Sequence, residues 1–191
     1  MEIIQIDENS IEKAVQVLKS GGVVASPTDT VYGLLADVQN PQAIAKIFQI
    51  KERDSSKPLG IFVKGLDMAK EVAVISGTQE EYLRGVWPGK VTAVLEQKGD
   101  LPKELGIENT IGVRIPDYPL LTEIIEKLGN SVVQTSANIA GEKPLGSADE
   151  IREVFGDREY APDILLDAGV LPSSKPSKVI DITGNEQKIL R

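Results

Sequence analysis

The sequence predicts an α/β fold: a single domain on a twisted, open, mixed sheet with helices. Three observations carry that expectation. Short apolar runs of strand length are interspersed with amphipathic runs of helix length, without the strict strand–helix–strand rhythm of an all-parallel sheet. No stretch is long enough to link two domains, because the Pro/Ser/Lys segment Leu171–Lys178 is only a loop, so residues 1–191 are expected to fold as one unit. A chain of 191 residues with 41% apolar side chains can bury about 70% of its unfolded surface and needs neither disulfide nor metal to fold.

The elements follow in order. Met1–Ile6 alternates as a strand does. Ser10 is placed to cap a helix over Ile11–Lys19, where Ile11, Ala14, Val15 and Leu18 recur at helical spacing, and Gly21-Gly22 stops it. Gly22–Ser26 reads as a buried strand. Asn40-Pro41 opens a helix with Pro41 in its first turn and Ile44, Ile47 and Phe48 on one face. Pro58–Val63 reads as a strand, and Gly65–Ile75 and Gln79–Val86 read as helices. Trp87-Pro88-Gly89 breaks the chain before strands over Val91–Glu96 and Asn109–Ile115. A helix over Tyr118–Leu128 precedes a strand over Ser131–Thr135. Ser147 and Glu150 form a capping box at the start of a helix over Ser147–Phe155. Late strands are expected at Ile164–Leu166, Lys178–Ile182 and Lys188–Leu190.

Composition narrows the chemistry. The chain has no Cys, which excludes disulfides, thiolate catalysis and Cys-based zinc sites, and no His, which removes the commonest general base and metal ligand. Any catalysis must run on carboxylates, Lys and Arg, hydroxyls and backbone groups, which suffices for transfers at phosphorus that depend on positioning and charge stabilisation. The net charge of −8 argues against a broad nucleic-acid surface. No apolar run approaches a membrane span, and the polar, acidic start MEIIQIDENS is unlike a signal peptide, so a cytoplasmic protein is expected.

Five segments could carry chemistry, and each also has a plain structural reading. Ser26–Gly33, SPTDTVYG, is either a polar turn or a set of hydroxyls lining a strand-end cleft. Lys51–Leu59, KERDSSKPL, holds three cations in seven residues; these either complement a helix C-terminus or clamp a polyphosphate, with Arg53 planar and the lysines as point charges. Thr110–Pro116, TIGVRIP, sets Arg114 in an apolar strand, where it faces solvent or grips a carboxylate. Gln134–Gly141, QTSANIAG, runs a buried strand into hydroxyls and an amide. Pro176–Asp181, PSKVID, is followed by Arg191. No Walker A or G-x-G-x-x-G pattern is present.

Taken in this order, SPTDTVYGL, KERDSSKPL, WPGKVTAVL, TIGVRIP, TSANIAG and PSKVIDIT resemble the YrdC-like family of threonylcarbamoyl-AMP synthases, in its short form, from about residue 20 to the C-terminus. The resemblance implies a twisted open sheet with a large concave, positively lined cleft. It implies a nucleotidyltransferase that condenses L-threonine, bicarbonate and ATP, with Mg²⁺ on the phosphates, into threonylcarbamoyl-adenylate and pyrophosphate. The product would pass to a separate transferase complex that modifies tRNA. The same resemblance assigns Lys51, Arg53, Ser136 and Asn138, of the K-x-R and S-x-N signatures, as the catalytic residues. It assigns Thr30, Tyr32, Arg114, Ser136 and Ser177 to threonine, with Thr28 shaping that pocket. It assigns Arg53, Lys57, Thr110, Asn138, Ser147 and Arg191 to ATP. It leaves Asp29 without a role. Two departures stand out: Lys178 replaces a hydroxyl of the family's PSTV segment, and the loop after S-x-N is one residue longer. Direct contact of such an enzyme with tRNA or RNA is expected to be weak. The alternative is an inactive nucleotide- or RNA-binding paralogue of the same fold. Hydrogenase-maturation proteins of related fold are larger and carry zinc-finger cysteines, which this chain lacks.

Overall fold

A computed structural model describes residues 1–184 and 186–191. Among them the order of elements is β1 (Glu2–Gln5), α1 (Ser10–Lys19), β2 (Val24–Ser26), β3 (Gly33–Asp37), α2 (Pro41–Lys51), β4 (Gly60–Phe62), α3 (Leu66–Val72), β5 (Ala73–Val74), α4 (Gly77–Val86), β6 (Val91–Gln97), β7 (Gly106–Ile107), β8 (Thr110–Arg114), α5 (Pro119–Leu128), β9 (Val132–Ser136), α6 (Ala148–Phe155), β10 (Ile164–Asp167), β11 (Lys178–Asp181) and β12 (Lys188–Ile189). The strands form one mixed sheet in the order β1-β10-β2-β3-β9-β4-β8-β6-β11-β12, with β5 beside β6 and β7 beside β8.

Sequence-local chemistry explains most boundaries. Asn40 Oδ1 accepts the Ala43 N–H and Pro41 opens α2. The capping box at α6 forms as expected, with Ser147 Oγ accepting from Glu150 N and the Glu150 carboxylate accepting from Ser147 N. At α1 the expected cap is corrected. Asp7 Oδ1 accepts the N–H groups of Asn9 and Ser10, and the Ser10 hydroxyl donates back to Asp7 O at 2.7 Å. Asp7 outcompetes Ser10 because its carboxylate reaches two orphan donors at once.

Three elements depart from expectation, one of them the two-residue strand β7, which pairs antiparallel with β8 and is not among the expected strands. The expected helix Gly65–Ile75 ends at Val72, and Ala73-Val74 turns into β5, pairing with Gln97 and Glu96 of β6. A strand over Gly33–Asp37 was not anticipated. It pairs antiparallel with β2 (Ser26 opposite Gly33) and with β9 (Gly33 opposite Ser136), so Pro27–Tyr32 is the hairpin connection between β2 and β3. Every residue of β3 is buried. A short strand covered on both faces has no alternation for sequence periodicity to detect.

Helices α1 and α5 pack on each other, and Ala14, Val15 and Leu18 of the first and Leu121, Ile124, Ile125 and Leu128 of the second are all buried. Each fully buried Leu or Ile contributes about 1.5–3 kcal/mol of transfer free energy. The middle strands of the sheet are held against this core by one set of alternate residues: Ala93 and Leu95 of β6, Ile111 and Val113 of β8, and Ile180 of β11 are all buried. The opposite set on the same strands is free for another purpose.

Candidate active site

That opposite set lines a cavity of about 490 Å³: Thr92 and Val94 of β6, Thr110, Gly112 and Arg114 of β8, and Val179 and Asp181 of β11. The period of two in a strand places these positions on one face. The floor between β4 and β8 carries no side chains, because Gly60 and Gly112 lie side by side there; a Cβ at Gly60 would stand 3.1 Å from the Gln134 amide nitrogen and 3.4 Å from Gly112 O. Leu59, Leu105 and Ile107 add apolar wall, and Thr28, Thr30, Tyr32, Ser136, Ser177, Arg53 and Arg191 add the polar groups.

The β2–β3 connection is pre-organised by its own hydroxyls. Thr28 Oγ1 donates to Val31 O at 2.8 Å and accepts from Thr30 N at 3.0 Å. Its one proton is therefore spent, so in the 3.0 Å contact between the two hydroxyls Thr30 donates to Thr28. Thr30 is left with lone pairs at the cavity. Tyr32 donates its hydroxyl to Gly169 O and accepts from Ala168 N, so only its ring serves the cavity wall. Burial pushes that phenol up to about 12, with Ala168 N opposing the shift and Asp167 and Tyr118 adding to it.

The S-x-N segment is braced from behind. Lys51, only 1% exposed, donates from Nζ to Ser136 O at 2.6 Å and to Asn138 O and Asn138 Oδ1 at 3.0 Å. Ser136 Oγ donates to Asn138 Oδ1 at 2.6 Å, and Asn138 Nδ2 donates to Ile139 O and Glu142 O. The Asn138 amide is thus fully used, while Ser136, its proton spent, presents acceptor lone pairs to the cavity. Burial, and then the nearby Arg53 charge, push the Lys51 ammonium down to about 7.

Three arginines meet at the cavity. Arg114 donates from Nη2 to both Asp29 carboxylate oxygens at 2.6 Å and from Nε to Gly89 O at 2.8 Å, above the Phe62 ring at 5.5 Å. Burial lowers its pKa, and Asp29 opposes that fall. Arg53 donates from Nη2 to Pro58 O at 3.0 Å, and its Nε is buried with no partner among the described residues. Arg191, held by pairing of its backbone with Val179, reaches Ser177 Oγ at 3.5 Å. Burial lowers the Arg53 pKa, and the charge of Arg191 lowers it further.

The structure therefore brings Thr30, Tyr32, Arg53, Thr110, Arg114, Ser136, Ser177 and Arg191 to one cavity. It sets four expected residues apart from the cavity wall. Lys51 is a buried brace rather than a free point charge, because three carbonyl-type oxygens enclose its ammonium. Asn138 braces with it. Lys57 is exposed on the surface. Ser147 spends its oxygen on capping α6. Sequence reasoning gave no site role to the floor glycines, Thr92 or Gln134, although Gly112, Thr92 and Gln134 fall in segments it singled out; glycines in mid-strand are the signal that could have found the floor. Lys178 is exposed and outside the cavity wall, so the departure from the family's hydroxyl leaves that wall unaltered.

A family model described as "Telomere recombination", Sua5_yciO_yrdC, matches residues 16–191. A Chromohalobacter salexigens protein named threonylcarbamoyl-AMP synthase is 31% identical over 185 residues, covering 96% of this chain and 98% of that protein. A Marinobacter nauticus protein of the same name is 32% identical over 178 residues, covering 91% and 92%. The crystal structure of P. abyssi Sua5 complexed with L-threonine superposes with a TM-score of 0.92 at 30% identity, covering 100% of this chain and 57% of that one. The chain thus spans a little over half the length of that solved protein.

Proposed function

This chain belongs to the Sua5/YciO/YrdC family, and from that premise we propose that it is a threonylcarbamoyl-AMP synthase, a cytoplasmic nucleotidyltransferase acting in tRNA modification. The observation that carries the reading is the polarity of the cavity. Hydroxyl lone pairs at Thr30 and Ser136 accept from an amine, while Arg114, Arg53 and Arg191 donate to anions. An amino acid and a nucleoside triphosphate together complement that pattern.

In this reading the threonine carboxylate meets Arg114 and its amino group meets Thr30 and Ser136, with Tyr32 and Ser177 as pocket wall. The triphosphate lies between Arg53 and Arg191, with Thr110 beside it. The threonine amine and bicarbonate form a carbamate, the new N–C bond replacing a C–O bond whose oxygen leaves as water; a carbamate oxygen attacks the α-phosphorus of ATP, the bond to the β-phosphate bridging oxygen breaks, and pyrophosphate leaves. The protein's contribution is to hold two anions in line and offset their repulsion, which suits a site without His or Cys. Among the described residues no cluster of His, Cys, Asp and Glu could hold a metal ion by itself. Mg²⁺ would accompany the triphosphate and neutralise phosphate charge, with Asp181 the nearby carboxylate on the wall. The product is passed to a tRNA threonylcarbamoyl transferase. Residues 1–191 act as one domain.

The test is pyrophosphate release with ATP, Mg²⁺, bicarbonate and L-threonine. Release that depends on threonine and bicarbonate is expected; release absent, or indifferent to threonine, overturns the reading.

A further inference from the structure

Asp29 has no place in the chemistry above, yet it is one of the best-held carboxylates in the molecule. It sits in the connection between β2 and β3, and its side chain is 6% exposed against 3% for Arg114. It is absent from the cavity wall that Thr28 and Thr30, its immediate neighbours, help to form. Both its oxygens accept from the single nitrogen Arg114 Nη2, and Oδ2 also accepts from Asp117 N at 3.2 Å. It thereby ties three segments far apart in sequence: the β2–β3 connection, the end of β8 and the entry to α5.

The consequences for Arg114 follow from counting donors. Nε is spent on Gly89 O and Nη2 on Asp29, with the guanidinium lying over Phe62. Nη1 alone is left without a protein acceptor among the described residues, on a side chain that lines the cavity. A planar fork fixed at two of its three nitrogens cannot rotate to offer a different edge. The charge behind it also matters: a carboxylate in contact offsets much of the guanidinium's field, so a ligand is recognised by the aimed N–H groups more than by bulk attraction.

We infer that Asp29 is a positioning residue that locks Arg114 so that only its Nη1 edge faces the cavity, making the site selective for a ligand carboxylate in one fixed place. Asp29 itself touches no ligand. This inference rests on the reading of the cavity as a threonine site.

The experiment compares wild type, Asp29→Ala and Asp29→Asn by steady-state pyrophosphate release and by calorimetric titration of L-threonine, with L-threonine methyl ester as the carboxylate-free probe. For Asp29→Ala the expected result is a threonine KM raised about tenfold or more, with kcat and the ATP KM within about threefold of wild type. The wild-type preference for threonine over its methyl ester should fall by about tenfold, since a swinging guanidinium no longer marks one carboxylate position. Asp29→Asn retains one acceptor for Nη2 and should lie between the two; if the alanine variant does not fold, the asparagine variant carries the same test. An unchanged threonine KM with unchanged ester discrimination overturns the inference. So does a parallel loss in threonine KM, ATP KM and kcat with discrimination intact, which is what a merely structural role predicts. Failure of the synthase reading looks different: wild type then binds threonine by calorimetry without releasing pyrophosphate, and the titration arm still tests Asp29. Wild type that binds no threonine overturns both.

Discussion

One guanidinium on the cavity wall has a carboxylate directly behind it; two others on the same wall have no ion-pair partner among the described residues. Arg114 is buried, paired with Asp29 and fixed at two nitrogens. Arg53 has one carbonyl contact and an orphaned Nε, and Arg191 depresses its pKa. The paired arginine is set before any ligand arrives. The unpaired two are left electrostatically unsatisfied, a condition that an incoming polyanion relieves. A compact carboxylate rewards a rigid, preset donor, whereas a triphosphate with many oxygens rewards available positive charge.

The largest effect should come from breaking the buried ion pair. Arg114→Ala leaves Asp29 buried without its cation, so we expect a stability loss of about 3–5 kcal/mol in urea unfolding together with about 100-fold lower kcat/KM for threonine. If stability is unaffected, the pair is not a brace and the contrast between paired and unpaired arginines collapses. Arg53→Ala sharpens the contrast. It removes a strained cation rather than a paired one, so stability should stay within about 0.5 kcal/mol of wild type while the ATP KM rises about tenfold or more. A large stability loss there would mean that Arg53 is as structurally committed as Arg114.

The last expected effect concerns Lys51, which pairs with none of the three arginines and braces the Ser136–Asn138 segment from behind. Its pKa in the folded protein is near 7, against 10.5 for an ordinary lysine. Between those values the unfolded chain holds a proton that the folded one has released, so stability should rise with pH across that window and be flat below it. The unfolding free energy of wild type minus that of Lys51→Met should therefore grow from pH 7 to pH 10. A difference independent of pH would show that the ammonium keeps its proton in the fold.

Most helices were legible in the sequence because their signals are local: Asn40-Pro41 before α2, Ser147 and Glu150 at α6, apolar spacing along α1 and α5. Strand β3 was not, because full burial erases alternation, nor was β5, whose pairing with β6 overrides the helical continuation after Val72. In the site, Arg114 could be suspected from its apolar strand and the hydroxyls from their strand ends. The interior burial of Lys51 could not, since a lysine in the last turn of a helix beside Glu52 and Arg53 reads as a solvated charge until Ser136 and Asn138 are folded against it. Asp29 had no assignable role for the same reason: its partner is 85 residues away.

The pairing of β11 with β6 has a consequence in time. Ser177, Val179, Asp181 and Arg191 reach the cavity only when this parallel edge has docked, and β12 depends on β11 in turn. Parallel pairing between distant segments is a late event in folding, so the pocket should close last, by the arrival of its final wall. A ligand that bridges Arg53 and Arg191 would bind only molecules in which that edge is in place, and by mass action would slow its fraying. Amide hydrogen exchange along β11 would then serve as a clock for occupancy, read from a strand whose backbone never needs to touch the ligand.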